Sequence, residues 1–147
     1  MEKLTPAVRS RVMSKVRGKN TSPEIRVRRT LHTLGYRFRL HGKDLPGKPD
    51  VVLPKYRLCV FVHGCFWHQH PGCKRATMPV NNHEFWIHKL AQNEKRDEVS
   101  IQKLKILGWD VLVIWECETK NVNSLIARLC CISDISKKQL IQYSEMA

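Results

Sequence analysis

A run of nine residues, CFWHQHPGC, places metal-binding and aromatic side chains together at positions 65–73. Cys65, His70 and Cys73 are soft or borderline ligands, and Cys117 lies at the end of a predicted strand further along the chain. Three cysteines and one histidine form a recognised closed, tetrahedral set for structural zinc. The spacing is irregular, so an alternative stays open, in which Cys65 and Cys117 are small core residues and His70 is solvated.

Three other side chains have the chemistry of a hydrolytic active site. Asp50 opens a predicted strand after the bend LPGKP, where a carboxylate can hold a hard cation such as Mg²⁺. The next predicted strand ends near His63 and His68, and pairing of the two strands would bring both histidines towards Asp50. Histidine titrates near neutral pH, which suits general acid–base catalysis on water. The alternative is an aspartate that only ends a turn and histidines that lie on the surface.

The chain also carries aromatic residues outside its apolar segments. Phe66 and Trp67 stand in the polar loop, and Trp86 starts a predicted helix that faces it. Aromatic side chains that insert into a base stack can unstack a duplex step, so we call these three residues the wedge aromatics. The alternative for any tryptophan is core filling, which we predict for Trp109 and Trp115 in an apolar strand.

The candidate residues need a scaffold, and the predicted order of elements is α-α-β-β-β-α-β-α. The first helix covers 6–16, and the second is capped by Ser22 and ended by Gly35. Strands are predicted over 36–40, 50–53, 57–62 and 109–115, and helices over 83–107 and 121–131. A helix, a three-stranded meander, a crossover helix and a fourth strand form an α/β sandwich with a mixed sheet.

The hydrophobic pattern also predicts which side chains are buried. The helix after Ser22 should present Val27, Leu31 and Leu34 to the core, because they share one face. The three cysteines outside the zinc set are predicted to be small core residues, namely Cys59, Cys130 and Cys131.

Composition limits the classes of partner. The chain has 147 residues and a formal net charge of +13, from 26 basic and 13 acidic side chains. Such an excess favours a polyanion, most commonly nucleic acid.

We expect one domain over 1–147, with a basic arm at 1–20 and a tail at 132–147. No signal-peptide or transmembrane pattern is present, so we expect a cytoplasmic protein with reduced cysteines and no membrane partner. No coiled-coil pattern appears, which favours a monomer.

Four segments together resemble one family. LPGKPDVV, CVFVHGCFWHQH, EFWIHKLAQNEKRD and LGWDVLVIWEC follow the order and spacing of the very-short-patch-repair mismatch endonucleases, from about residue 8 to residue 117. The resemblance implies a PD-(D/E)xK-like, restriction-endonuclease-like αβββαβ fold with a structural zinc site. It implies Mg²⁺-dependent nicking of double-stranded DNA, 5′ to the thymine of a T:G mismatch left by deamination of 5-methylcytosine. It also implies a functional link to a DNA cytosine-5 methyltransferase and a place at the bacterial nucleoid.

The resemblance assigns roles by position. Asp50 resembles the aspartate that binds Mg²⁺, His68 the catalytic histidine, and His63 a second active-site histidine. Glu24 resembles the helix carboxylate that completes the active site. The zinc set and the wedge aromatics match the family's structural zinc ligands and its intercalating residues.

The sequence departs from the family pattern in places, and two other functions stay open. Val62 stands where the family pattern has threonine in FTHG, Pro71-Gly72 replaces a histidine-rich run, and the usual (D/E)xK pair is absent. A backbone role at position 62 would tolerate valine, whereas a hydroxyl role would not. The alternatives are a non-catalytic, zinc-stabilised DNA-binding protein and a restriction-type nuclease that cuts matched DNA.

Overall fold

The computed structural model describes residues 20–132 of the chain. The predicted helix at 6–16, almost all of the predicted basic arm and the tail beyond residue 132 lie outside the described residues. Within them, the helices are α1 (Ser22–Thr33), α2 (His83–Ile106) and α3 (Val122–Cys130). The strands are β1 (Arg39–Leu40), β2 (Val51–Leu53), β3 (Leu58–His63) and β4 (Asp110–Trp115), with short 3₁₀ helices at Pro54–Tyr56 and Glu116–Lys120.

The four strands form one mixed sheet in the order β1-β2-β3-β4. β1 and β2 are antiparallel, as are β2 and β3, whereas β4 runs parallel to β3 with Trp115 opposite His63. A parallel neighbour requires a crossover connection, and α2 provides it. The predicted α/β order of a helix, three strands, a helix and a strand is therefore confirmed.

Alternate residues of the strands face two separate cores. On one face, the larger core joins α1 and α3 to the sheet through residues such as Leu31, Val60 and Leu129. On the other face, Phe61 packs with Leu104 of α2. Because the two faces of β3 are both covered, the strand reads as a nearly continuous apolar run. Strand β3, which ends at His63, is therefore held between packed side chains on both faces of the sheet.

Helix α1 begins one residue earlier than predicted. Thr21, not Ser22, is the N-cap, and its side chain accepts a hydrogen bond from the backbone N–H of Glu24. The prediction for Leu34 was also wrong, because this residue follows the last turn of the helix and is 36% exposed. Val27 and Leu31 are fully buried, as predicted. The buried side of α1 includes Glu24, which the apolar pattern could not indicate.

Two other predictions need correction. The predicted strand at 36–40 is reduced to Arg39–Leu40, at the edge of the sheet. Cys130 and Cys131 are exposed, because the chain at the C-terminal end of α3 directs Leu129 and Ile132 to the core and these two cysteines away from it. Cys59 is buried, as predicted.

The loop before β2 depends on a glycine. Gly47 has φ +73, and a Cβ atom at this position would lie 2.6 Å from Cβ of Ser100 on α2. Only glycine accommodates both the left-handed conformation and this close approach. The loop thus packs against α2 and fixes where Asp50 enters the sheet.

Along the described residues, no helix combines the length and hydrophobicity that a membrane span requires.

Candidate active site and metal centre

The ends of β2 and β3 bring the predicted active-site residues together. Val51 pairs with Val60, so Asp50, just before β2, lies beside the end of β3. The backbone N–H of Val62 donates a hydrogen bond of 2.7 Å to Oδ2 of Asp50. Position 62 therefore supports Asp50 through its backbone, which valine supplies as well as threonine would.

These residues line one cleft of about 640 Å³. Glu24 reaches the cleft from α1, and Asp50 and His63 reach it from the sheet. His68 and Trp67 reach it from the loop that follows β3. The predicted grouping of four titratable residues is thus found in the folded chain, with one wedge aromatic at its border.

The carboxyl groups of the cleft suit a hard cation. Burial raises the pKa of Asp50 from 3.8 to about 6, and the nearby carboxylate of Glu24 adds to this effect. Two carboxylates held close in a partly dry cleft repel each other, and a divalent cation removes that repulsion. Mg²⁺ prefers one or two carboxylates together with water and phosphate oxygens, so the donors present fit this ion.

The two histidines form a stacked pair. The rings of His63 and His68 are parallel, with centroids 3.9 Å apart. Burial lowers the pKa of His63 from 6.5 to about 4, so this ring is neutral at neutral pH. Nδ1 of His68 lies 2.5 Å from Oδ2 of Asp97 on α2. Because a carboxylate only accepts, Nδ1 carries the hydrogen, and Nε2 of His68 is left to accept a proton.

The shifted pKa values of Asp50 and His63 predict a pH dependence of stability. Between about pH 4 and pH 6, folded Asp50 binds more protons than the unfolded chain, so its contribution to stability falls as the pH rises. Folded His63 binds fewer protons, so its contribution rises with pH, and the two nearly cancel. In a His63→Asn variant without Mg²⁺, the contribution of Asp50 to the free energy of unfolding should therefore fall by about 2 kcal/mol from pH 4 to pH 6.

Urea unfolding at several pH values measures this effect. The matched control is the double variant His63→Asn/Asp50→Asn, in which neither group titrates. The same pH dependence in the single and the double variant would contradict the prediction.

The four predicted zinc ligands converge at one point. Their ligand atoms all lie within 4.8 Å of one another, although Cys117 comes from the 3₁₀ turn after β4. Nδ1 of His70 is 3.7 Å from Sγ of Cys65 and 3.5 Å from Sγ of Cys117. Such separations suit four donors placed around one tetrahedral ion, so the set fits zinc.

The cysteines of this cluster lie in different electrostatic surroundings. Burial raises the pKa of the Cys65 thiol to about 12, whereas the backbone N–H of Arg75 lowers the pKa of Cys73. A metal ion would stabilise the thiolate form of each cysteine. Trp115 stacks on His70, with centroids 4.2 Å apart. Trp115 is thus partly exposed beside the cluster, and the prediction that it fills the core was wrong.

The wedge aromatics are in mutual contact. Ring centroids are 5.1 Å apart for Phe66 and Trp67, 5.5 Å for Phe66 and Trp86, and 5.8 Å for Trp67 and Trp86. Phe85, which is 59% exposed, extends the cluster from Trp86. These partly exposed rings project from the loop and the start of α2 instead of entering either core.

Comparisons with known proteins identify the family of this chain. The family described as "DNA mismatch endonuclease Vsr" matches residues 1–75. DNA mismatch endonuclease Vsr of Escherichia coli is 40% identical over 119 residues, which are 81% of this chain and 76% of that protein. This chain belongs to the Vsr family of DNA mismatch endonucleases.

Other proteins similar to this chain are described as nicking enzymes. Type II nicking enzyme V.XorIIP of Xanthomonas oryzae pv. oryzae is 48% identical over 135 residues, which are 92% of this chain and 98% of that protein. Type II nicking enzyme V.NmeAIP of Neisseria meningitidis is 44% identical over 117 residues, 80% of this chain and 83% of that protein. The resemblance in the four sequence segments is thereby confirmed as family membership, and the protein is a mismatch endonuclease.

Sequence reasoning missed Asp97, the partner of His68. The sequence did contain a signal for it. Asn93 and Asp97 are four residues apart in α2, and residues with this spacing lie on one face of a helix. Asn93 donates a hydrogen bond of 3.1 Å from Nδ2 to the backbone oxygen of Trp67, and Asp97 contacts His68 one turn later. This polar face of α2 therefore carries the loop that holds both the wedge and the histidine.

Proposed function

We propose that this endonuclease nicks one strand of duplex DNA on the 5′ side of the thymine in a T:G mismatch, and so starts very short patch repair. The mismatch would arise from deamination of 5-methylcytosine, which links the protein functionally to a DNA cytosine-5 methyltransferase. The whole chain, 1–147, acts as one PD-(D/E)xK-like domain and as a monomer. The observation that carries the proposal is the His68–Asp97 pair, in one cleft with two carboxylates and beside exposed aromatic rings.

The proposed reaction is hydrolysis of a phosphodiester bond. Nε2 of His68 takes a proton from the attacking water, while Asp97 holds the ring in the required tautomer. The water oxygen bonds to phosphorus, and the bond to the 3′ oxygen breaks, leaving a 3′ hydroxyl and a 5′ phosphate. Neutral His63 stacks on His68 and limits its rotation. Mg²⁺ held by Asp50, with Glu24 beside it, would polarise the phosphate and stabilise the leaving oxygen.

Selection of the mismatch is proposed to depend on the wedge aromatics. A wobble pair costs less to open than a matched pair, so insertion of these rings favours mismatched DNA. Zinc bound by the four ligands would rigidify the loop that carries Phe66, Trp67 and His68. Basic side chains near the N-terminus would bind the phosphates without reading the sequence.

The test is a strand-labelled nicking assay with Mg²⁺ on a duplex with one T:G mismatch and on its T:A counterpart. A single nick 5′ to the mismatched thymine, absent from the matched duplex, is the expected result. Double-strand cleavage of both duplexes would indicate a restriction-type nuclease instead. Binding of the mismatched duplex with no cleavage would indicate a non-catalytic DNA-binding protein.

The proposed role of the wedge aromatics predicts how a substitution of Trp67 changes DNA affinity. In the Trp67→Ala variant, affinity for the T:G duplex should fall by about 1–3 kcal/mol, the usual contribution of one stacked aromatic. Affinity for the T:A duplex should change little, because the matched stack is not opened. Fluorescence anisotropy with both duplexes, in the absence of Mg²⁺, measures the two changes in the same preparation. An equal loss for both duplexes would exclude the wedge as the source of selectivity.

A further inference from the structure

Arg28 connects three parts of the chain next to Glu24, which lines the cleft. It lies on α1 one turn after Glu24, and its Nη2 atom is 3.2 Å from Oε2 of Glu24. The same nitrogen donates to Oδ1 of Asn20 at 2.8 Å and lies 3.2 Å from Nε2 of His41. His41 in turn donates its backbone N–H to the backbone oxygen of Asp50. One guanidinium thus joins α1, the residue before its cap and the loop after β1.

This contact orients the carboxylate of Glu24. Oε2 accepts two hydrogen bonds, one from Arg28 and one of 3.0 Å from the backbone N–H of Asn20. Within residues 20–132, Oε1 makes no hydrogen bond, and Glu24 lines the cleft. Two donors on one oxygen fix the plane of the carboxylate and leave the other oxygen for a ligand in the cleft.

The contact between Arg28 and Glu24 also affects the charge balance of the cleft. Glu24 is 3% exposed and lines the same cleft as Asp50. The guanidinium of Arg28 lies 3.2 Å from the Glu24 carboxylate and is the positive charge in contact with it. A buried carboxylate pair without a cation is unfavourable, so Arg28 supplies a counter-charge when no metal ion is bound.

One nitrogen of the Arg28 guanidinium is left without a partner. Its Nε atom is buried without a hydrogen-bond partner, and it is the only such side-chain nitrogen or oxygen atom in the described part of the chain. Buried donors are nearly always paired, and exceptions cluster at functional sites. The orientation that satisfies Glu24 is kept at the expense of Nε.

We propose that Arg28 is a positioning residue, which holds Glu24 beside Asp50 in the metal-free protein and leaves Oε1 of Glu24 to the catalytic cation. The inference rests on the proposed function, because it takes Glu24 and Asp50 as the cation site. Arg28 acts through Glu24 and does not contact the substrate.

Arg28→Met tests the proposal, with Arg29→Met as its matched control on the exposed side of the same helix. Calorimetric titration of the DNA-free protein with Mg²⁺ alone should show about tenfold tighter binding in Arg28→Met, because a positive charge has left the carboxylate pair. Its single-turnover nicking rate at saturating Mg²⁺ should nevertheless fall at least tenfold, because Glu24 is no longer fixed. Arg29→Met should match the wild type in both measurements.

Two further variants keep the test decisive. Arg28→Lys retains the charge, so its Mg²⁺ affinity should stay within about twofold of the wild type and part of the rate should return. Arg28→Gln can still donate to Glu24 without a charge, and it replaces Arg28→Met in the Mg²⁺ titration if that variant does not fold. Unchanged or weaker Mg²⁺ binding in the neutral variant, or a wild-type nicking rate of Arg28→Met, would overturn the proposal.

Asp50→Asn separates this inference from the proposed function. If Asp50→Asn removes Mg²⁺ binding and the neutral Arg28 variant behaves as Arg29→Met does, only the role of Arg28 is wrong. If Asp50→Asn binds Mg²⁺ as the wild type does, the cation site lies elsewhere, and both the proposed active site and the role of Arg28 are overturned.

Discussion

The His68→Ala variant should nick mismatched DNA about 10²–10⁴ times more slowly than the wild type, the range for loss of a general base. Nε2 of this residue is the acceptor that the contact with Asp97 leaves available in the cleft. Binding of the T:G duplex should change little, because the wedge aromatics and the basic residues remain. Single-turnover nicking at saturating enzyme measures the first quantity, and anisotropy without Mg²⁺ measures the second.

Two companion variants sharpen this experiment. His32→Ala removes an exposed histidine on α1 and should leave the rate unchanged. Asp97→Asn keeps the size of the side chain but allows the opposite tautomer of His68, so it should also slow nicking strongly. Nicking by His68→Ala at close to the wild-type rate would remove this residue from the proposed mechanism, whatever the result for Asp97.

The sequence predicted which candidate residues lie close together where spacing along the chain determines spacing in the fold. Asp50 and His63 flank two strands joined by a short turn, so antiparallel pairing necessarily brings them close. The ligands at 65, 70 and 73 lie within one loop, which limits how far apart they can be. In both cases the local chain geometry decides the outcome, and a single sequence contains that information.

Contacts that depend on tertiary packing were harder to predict. Asp97 is 29 residues from His68, and only the packing of α2 on the loop joins them. Nothing in the sequence distinguishes Arg28 from the other basic residues, although its side chain faces the buried Glu24. Cys130 and Cys131 occupied apolar positions in the pattern, but the packing of α3 decides which side chains point inward. A hydrophobic pattern gives the direction of a helix face only approximately near the end of the helix.

Under the proposed function, the loop from Gly64 to Asn82 combines roles that usually belong to separate structural elements. His68 and Trp67 are adjacent in sequence, and the backbone oxygen of Trp67 is held by Asn93. The candidate metal ligands on either side of these residues would close the loop on itself around an ion, and Cys117 would attach it to the end of β4. A change in metal binding should therefore alter the positions of the wedge aromatics and of His68 together. A substitution of Trp67 or of His68 alone should not displace the other residue.

The Cys117→Ala variant should show this coupling. Three ligands remain within the loop, but the link to β4 is lost, so the free energy of unfolding should fall by more than about 4 kcal/mol, as for loss of a structural metal. Zinc content, urea unfolding and T:G nicking should all decrease in the same preparation. Cys131→Ala, which removes an exposed thiol outside the cluster, should change stability by no more than about 0.5 kcal/mol. If Cys117→Ala kept both its zinc and its stability, Cys117 would not be a ligand, and the wedge and the general base would have to be positioned by the contacts of α2 alone.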